Sequence, residues 1–394
     1  MGKWEMVRLG DVSDLITKGT TPTTLGFNFQ SDGVNFVKIE SILDNGDFIE
    51  NKFEHISEEC HKKLGRSILH KNDILFSIAG ALGRVTLVPD SILPANINQA
   101  LAIIRISKSD ISLPYVITAL RSNFVYEQFQ KQKQGVAQLN LSLKNISDIV
   151  IPLPPLEVQR QIADVLDRAR ALIEKRKAQI EKLDLLVKSQ FIEMFGDPVT
   201  NPKGWEIEKL EKMGELNRGV SKHRPRNDPK LLGGKYPLIQ TGDVANAGLY
   251  LTSYTSTYSE LGLKQSKIWS SGTLCITIAA NIAKTSILSF DACFPDSVVG
   301  FSPNGKTNTF FIYYWFGFLQ KLLEEQAPES AQKNINLKIL NDLDVICPPL
   351  PIQNEFTAFV ERVEVQKALL KRSFEKLELN YQSLIQKCFR EELF

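Results

Sequence analysis

Residues 137–162 read AQLNLSLKNISDIVIPLPPLEVQRQI, and residues 331–356 read AQKNINLKILNDLDVICPPLPIQNEF. One constant shift of 194 positions aligns Gln138 with Gln332, Asn140 with Asn334, Leu143 with Leu337, Lys144 with Lys338 and Asp148 with Asp342. The same shift pairs Pro154-Pro155-Leu156 with Pro348-Pro349-Leu350, and Gln159 with Gln353. A gap-free match of this length with two adjacent prolines marks an internal duplication, so the chain is one plan used twice. Trp4-Glu5 through Leu9 also resembles Trp205-Glu206 through Leu210, at a shift of 201. Each copy keeps its ends, while its middle has gained and lost residues.

Each copy closes on a helix. Prolines at 152, 154 and 155, and at 348, 349 and 351, end an extended run and suit the approach to a helix or its first turn. From Glu157 to about Phe195 there is neither Gly nor Pro. That predicts a helix of about 55 Å at ~1.5 Å per residue, about three times the usual length. Counting alternately three and four residues, Ile162, Leu166, Ala169, Ile173, Arg176, Ile180, Leu183, Val187, Gln190 and Met194 form one seam. Phe356, Val360, Val363, Lys367, Leu370, Phe374, Leu377, Tyr381, Leu384 and Cys388 form the other. Both have coiled-coil spacing with few polar interruptions, of which Arg176 and Lys367 are candidates for a partner-docking edge. The first helix must cross away before the second module begins and the second must return, so the pair is expected to run antiparallel. Packing of each helix on its own module is the competing arrangement.

The expected architecture is α+β with a pseudo-twofold internal repeat: two similar globular modules joined by two long helices forming an antiparallel coiled coil. The boundaries fall at 1–152 and 198–347 for the modules, and at 153–197 and 348–394 for the helical spacers. Within the first module VNFVKIE, DILFSIA, GRVTLVP and ALAIIRI read as strands, and SLPYVITALRSNFVYEQFQKQ as a helix. In the second, YPLIQTG, TLCITIA, KTSILSF and SVVGFSP correspond, followed by the helix TFFIYYWFGFLQKLLEEQ.

Composition bounds the function classes. At 394 residues, with 43% hydrophobic and 23% charged residues, the chain suits two ordinary globular modules. No stretch approaches the roughly 18–20 apolar residues of a membrane span, and MGKWEMVRLGDV lacks an apolar signal core, so a soluble, cytoplasmic protein is expected. Cys60, Cys275, Cys293, Cys347 and Cys388 form no CxxC pair, and only four histidines accompany them, which argues against structural zinc and a disulfide framework. A formal net charge of +2 says nothing about partners, so any nucleic-acid reading rests on where the basic residues sit.

GFSPNGKT at Gly300 to Thr307 satisfies the phosphate-loop pattern GxxxxGK[ST] between a candidate strand and a candidate helix. The repeat supplies a control: the equivalent connection in the first copy, RISKSDISLPYV, has no glycine and no GK pair. Pro303 also removes one N–H from a loop that works by presenting them. An ordinary turn is the expectation. NPKG at Asn201 to Gly204 lacks the aromatic and second proline of an amino-methylating loop and reads as a linker turn. No HExxH, GxSxG or catalytic Cys-His pattern appears.

The duplicated module, the QxNxxLKxxxD…PPL…Q signature and the long helix between the copies together resemble the specificity subunit of type I restriction-modification systems. The recurrent pieces are the WE…L opening, GTTP at Gly19 to Pro22, NDILFSIAGALGRV at Asn72 to Val85, and NINQA at Asn96 to Ala100. The resemblance implies two target recognition domains, each reading half of a split site on double-stranded DNA, with the helices fixing the gap. It implies two modification (methyltransferase) subunits that bring S-adenosylmethionine and methylate adenine. Restriction (translocase/endonuclease) subunits would bring ATP, Mg²⁺ and cleavage. The chain itself would hold no cofactor and catalyse nothing. Independently, two readers on successive faces of a duplex need a spacing near one helical turn, about 34–36 Å, or a multiple, which a rigid rod can impose.

Candidate DNA-facing residues are polar and basic loop residues in corresponding places. In the first module they are Lys18, Thr20, Thr21, Lys38, Ser77, Arg84, Asn98, Gln99, Lys133, Gln134 and Gln138. In the second they are Lys222, Arg224, Arg226, Gln240, Thr241, Asn281, Lys284, Lys333 and Asn334. Arg can grip guanine and Asn or Gln adenine bidentately, while Lys more often neutralises phosphate. Gln138/Gln332 and Asn140/Asn334, present in both copies, suit bracing of the junction between module and helix, since sequence readers should differ between copies. Two other readings stay open: a P-loop NTPase turning on Lys306, and a coiled-coil scaffold that reads no DNA.

Overall fold

The computed structural model describes residues 4–130, 140–223, 225–279, 282–326, 335–389 and 392–394. The chain divides into two compact units, one comprising Met1–Lys177 with Arg372–Phe394, the other Ala178–Lys371. Each unit holds one module and a stretch of both long helices.

In the first unit, strand Glu5–Arg8 pairs antiparallel with Val150–Leu153, setting Val7 opposite Ile151. In the second, Ile207–Lys209 pairs likewise with Asp344–Ile346. These two ribbons tie the start of each module to the run before the paired prolines, which is why the ends of the copies match; Pro152 does not end that run but lies within it, opposite Met6. Between them the first module carries an antiparallel sheet in the order Leu15–Lys18, Leu101–Arg105, Ile74–Ser77, Val85–Leu87. The second repeats that order as Gly214–Arg218, Val298–Pro303, Leu274–Thr277, Thr285–Leu288 and adds Tyr250–Leu251 at the edge. A smaller sheet accompanies each, three strands centred on Val34–Val37 in the first and four including Leu232–Leu238 in the second.

The central strands are apolar throughout because both of their faces are covered. Alternate side chains of a strand point to opposite faces. In the first unit Ile74, Phe76, Ala102 and Ile104 enter the core shared with the helices. Leu75, Leu101 and Ile103 enter a second core beneath the smaller sheet. In the second unit Leu274, Ile276, Val299 and Phe301 serve the helix side, while Cys275 and Val298 serve the other.

The long helices span Leu156–Phe195 and Leu350–Phe389, 40 residues each. At their starts Pro155 and Pro349 supply carbonyls for the amides of Gln159 and Gln353 at 3.0 and 3.3 Å. Pro351 lies in a first turn that needs no N–H from it. The first helix ends on Gly196, whose φ of +79° closes a left-handed cap with its N–H on Ile192 O at 2.8 Å. Asn201–Gly204 then turns so that Trp205 Nε1 donates to Phe195 O at 2.8 Å, giving a last-turn carbonyl its partner.

Every seam position named above is buried or half-buried. In the first unit Ile162 and Leu166, near the start of one helix, share a core with Ile385 and Cys388, near the end of the other. In the second unit Val187, Phe191 and Phe195 join Phe356 and Val360 in the same way. The helices thus run antiparallel, and each paired stretch is also packed on a module, as Tyr115 against Phe389 at 6.0 Å and Phe191 against Phe311 at 5.5 Å illustrate. Lys367 does not sit on a wet edge. Its side chain is 13% exposed and paired with Asp184 and, at 3.4 Å, with Glu364. Burial works against its charge, but the Asp184 hydrogen bond and the two carboxylates outweigh it and hold the ammonium above its usual range.

One expected helix is broken. SLPYVITALRSNFVYEQFQKQ forms Leu113–Leu120 and then Asn123–Gln130, with residues 131 and 132 outside the described ones. Arg121 is drawn out by hydrogen bonds from Nη2 to Val85 O at 2.5 Å and Asn45 O at 3.1 Å. Ser122 starts the second helix by accepting the Tyr126 N–H at 3.0 Å. Expected strand YPLIQTG also stops early: the observed strand is Leu232–Leu238, and Thr241 opens the short helix Thr241–Asn246.

The proline signature has one further partner, the glutamine five residues on from its first paired proline. Gln353, with no exposed surface, donates from Nε2 to Pro348 O at 2.8 Å and Lys306 O at 3.1 Å. Its Oε1 accepts from Thr307 Oγ1 at 2.8 Å and from the Asn308 N–H at 3.1 Å. Gln159, 1% exposed, donates to Pro154 O at 2.8 Å and Asp110 O at 3.1 Å and accepts from the Ser112 N–H at 2.8 Å. Replacing Gln353 by Leu strands buried donors and acceptors and should cost roughly 2–4 kcal/mol in urea unfolding. Gln353→Glu, which accepts but cannot donate to the two carbonyls, should do no better. Loss under about 0.5 kcal/mol in both would show that the staple is dispensable.

Candidate nucleic-acid interface

At one end of the first module's sheets, loops converge. Gly19 follows strand Leu15–Lys18 and lies so close to the chain at 97–98 that a Cβ there would stand 2.1 Å from Ile97 O and 2.2 Å from Asn98 O. Only glycine fits such an approach. The loop is then stitched by a hydrogen bond from the Thr21 hydroxyl to Gln99 Oε1. Asn98 donates its N–H to Val37 O at 3.2 Å, which brings Lys38 alongside. Lys38 is half-buried, paired with Glu54 at 3.1 Å and set 4.3 Å over the Phe29 ring. Lys18, Thr20, Thr21, Lys38, Asn98 and Gln99 are thus gathered on one surface, with Lys18 and Gln99 the most exposed.

Ser77 and Arg84 are placed differently. Ser77 is buried, accepts the Arg84 N–H at 2.7 Å and donates to Ala81 O, closing the hairpin loop between its strands. Arg84 directs Nε to Asp44 at 2.6 Å and Nη1 to Ile42 O at 2.8 Å.

The second module repeats the frame with other side chains. A Cβ on Gly219 would stand 2.2 Å from Phe294 O and 2.3 Å from Pro295 O. Arg218 donates Nε and Nη2 to Asp296 O at 2.8 and 2.6 Å, and Arg226 Nη2 meets Asp296 Oδ2 at 2.6 Å. The amides of Lys222 and His223 both reach Gln265 Oε1, at 2.6 and 2.9 Å. The hydrogen bond from the Lys230 amide is the main influence that holds the Asp228 carboxyl below its usual range, and His223 adds to it. Thr277 takes the part of Ser77, accepting the Lys284 N–H at 3.0 Å. Ala283, at φ +56°, stands where the first copy has Gly83 at +85°. Leu141 and Ile335 dock on these loops through N–H bonds to Ile78 O and Ile278 O, at 2.9 and 3.0 Å.

Gln240 and Thr241 lie at a helix entrance, the Gln240 N–H bound by Asp243 at 2.8 Å. Lys284 is half-buried beside a cleft of about 450 Å³ lined also by Asp184, Tyr313, Tyr314, Glu364 and Lys367. Burial pushes the Tyr313 hydroxyl up to about 12, so it stays neutral at physiological pH. Lys133, Gln134, Gln138, Arg224, Asn281, Lys333 and Asn334, together with Gln332, lie outside the described residues, and Asn140 is exposed. Arg218, Gln265 and Asp296 were not among the sequence candidates. Arg218 had a signal, since it ends a strand as Lys18 does, but nothing local marked Asp296.

The phosphate-loop segment has its groups committed elsewhere. Lys306 Nζ pairs with Glu208 at 2.8 Å, and that hydrogen bond raises its basicity. Thr307 and the Asn308 amide belong to Gln353, and Asn304 N–H bonds Met213 O at 3.0 Å. The Lys306 amide turns back on Asn304 Oδ1 at 3.3 Å. Among the described residues no three His, Cys, Asp or Glu side chains are grouped to hold a metal ion, and no helix is long and apolar enough to cross a membrane.

Known proteins share this plan. Over 95% of its length the chain is 24% identical to the provisionally named type I restriction enzyme MjaX specificity subunit of Methanocaldococcus jannaschii, covering 90% of that protein. A stretch of 151 residues, 38% of the chain and 31% of the relative, is 32% identical to the type I restriction enzyme EcoBI specificity subunit of Escherichia coli. In fold, the chain matches one from a structure of complex assembly and conformational transition of the type I R-M system, with a TM-score of 0.64 at 22% identity, covering 100% and 98% of the two chains. The S subunit of the type I restriction-modification system from M. genitalium gives 0.57 at 15% identity, covering 98% and 96%. The type I restriction modification DNA specificity domain matches twice, over residues 1–182 and 202–379. Both modules and most of both long helices fall within those matches, and the chain belongs to the family of type I restriction-modification DNA specificity proteins.

Proposed function

We propose that the chain is the non-catalytic specificity subunit of a type I restriction-modification complex, working in the cytoplasm on double-stranded DNA. Each module reads one half of a bipartite site through the loops at the ends of its strands. The two antiparallel helices, 40 residues or about 60 Å each, set the unread gap. Two modification subunits, carrying S-adenosylmethionine, methylate adenine where the chain directs them. Restriction subunits, carrying ATP and Mg²⁺, translocate and cleave. Apolar residues off the seam, among them Leu185, Val365 and Leu369, are exposed and offer such partners a docking face.

The observation that carries this reading is the constancy of the frame beneath a changing surface. Gly19 and Gly219 make the same close approach, and Ser77 and Thr277 close the same hairpin loop. Yet the stitch is Thr21–Gln99 in one module and Arg226–Asp296 in the other. Two scaffolds of one shape that present different donors and acceptors suit two different base sequences. A scaffold that reads nothing has no use for that divergence.

Produced with its modification subunits, the chain should direct methylation of adenines in a bipartite motif, read by single-molecule sequencing of the host genome. Exchanging residues 1–150 for those of a relative should change one half of the motif alone. A continuous motif, or methylation indifferent to this chain, would sink the proposal. Deleting one heptad from both long helices should shorten the gap and leave both half-sites as they were; altered half-sites would refute the ruler. Gly19→Ala should abolish discrimination in the first half only, and unchanged methylation would mean that the loop pair is no reader.

A further inference from the structure

The stitch across the second loop pair is charged, and that is costly on a surface meant to approach a polyanion. Asp296 lies one residue past the Phe294–Pro295 carbonyls that hug Gly219, as Gln99 lies one past the carbonyls that hug Gly19. A carboxylate there repels phosphate and cannot pair with the acceptors that purines present in the major groove. It is tolerable if its charge is used up in orienting a cation. Arg226 meets it through Nη2, 2.6 Å from Oδ2 and 2.5 Å from Oδ1, with the Arg226 side chain 48% exposed and the Asp296 side chain 30% exposed. Arg218 fixes the backbone beneath from the other side, with two hydrogen bonds to Asp296 O. The loop carrying Arg226 is fastened at both shoulders, by Gln265 on the amides of Lys222 and His223 and by Asp228 on the amide of Lys230.

An arginine so held has lost much of its side-chain freedom before any ligand arrives, while Nη2 carries a second N–H that lies parallel to one of Nη1, so the end-on fork survives the contact with Asp296. Guanine offers O6 and N7 side by side in the major groove, the pair of acceptors that a guanidinium fork matches. A lysine in the same place would give a point charge suited to phosphate, without the fork. We propose that the second module reads a guanine through Arg226, with Asp296 as the positioning residue that holds the fork. The inference rests on the chain being a specificity subunit. The first module, stitched by the neutral Thr21–Gln99 contact, has no such device at the corresponding place.

The test uses the full chain produced with its modification subunits and maps methylated adenines for the wild type, Arg226→Lys and Asp296→Asn. Lysine can keep an ion pair to Asp296 and so spares the loop, but it cannot make the bidentate contact. The wild-type motif should contain a G·C pair in the half assigned to residues 198–347. In both variants discrimination at that one position should fall roughly tenfold or more, with the other half of the motif unchanged. A motif without G·C in that half overturns the assignment. So does a uniform fall in methylation with the motif intact, which would make the pair a loop stitch and nothing else. If the wild-type chain directs no methylation at all, the specificity-subunit reading fails first, before either variant is compared.

Discussion

Gln353 makes four hydrogen bonds from a position with no exposed surface, and Gln159 makes three from one nearly as buried. A primary amide is the group that can do this, because it offers two donors and a carbonyl with two lone pairs within one planar unit. In each copy it holds together three things that would otherwise part: the first turn of a long helix, the carbonyl of the proline run ahead of it, and the loop that launches the module's own helix. A buried polar group of this kind is expensive if any partner is lost, so it admits few geometries besides the one observed. The helix must leave the module in one direction, and everything that depends on that direction inherits its definition.

That constraint explains why the proline signature was so legible. Gln159 and Gln353 survive in both copies with the prolines because they act as one device, and a constant shift in the sequence exposes devices of that kind. The seam was legible for a different reason, since spacing of three and four residues in apolar side chains has few readings besides a paired helix. The central strands showed as apolar runs because both faces are buried. What failed was what tertiary contacts impose from far away. At the break beside Arg121 the local signal is slight, a serine whose hydroxyl accepts the Val125 N–H at 3.4 Å, and the contacts that hold Arg121 go to two carbonyls distant in sequence, at Asn45 and Val85. Ser77 and Arg84 look like surface polar residues in a glycine-rich loop, yet they close that loop from within.

The phosphate-loop match at Gly300 to Thr307 shows the same limit from the opposite side. Its letters are those of a nucleotide cradle, but Gly300 to Pro303 belong to the strand Val298–Pro303 and are paired in the sheet, so only the last four letters form the connection to the helix. The lysine serves Glu208, and the threonine with the following amide serves the buried glutamine. The first copy reaches the same end with Ser112 and no glycine, through the Ser112 amide on Gln159. What the two copies hold in common at this place is the staple, and the motif is one sequence among several that can meet it.

The doubly covered sheets also decide where function can reside. Ile74 and Leu75, or Leu274 and Cys275, go to opposite cores, so neither face of the central strands is open to a ligand. A strand so enclosed offers the outside only its ends, where backbone groups leave the ladder and loops begin. At that end Gly19 and Gly219 bring main chain against main chain with no room for a Cβ, whatever the neighbouring side chains are. Side chains there can change without moving the frame, which frees Thr21, Gln99, Arg226 and Asp296 to differ between the copies. Constancy of the backbone and divergence of the surface are therefore one property, since a reader can be exchanged only where its mounting does not depend on what it reads.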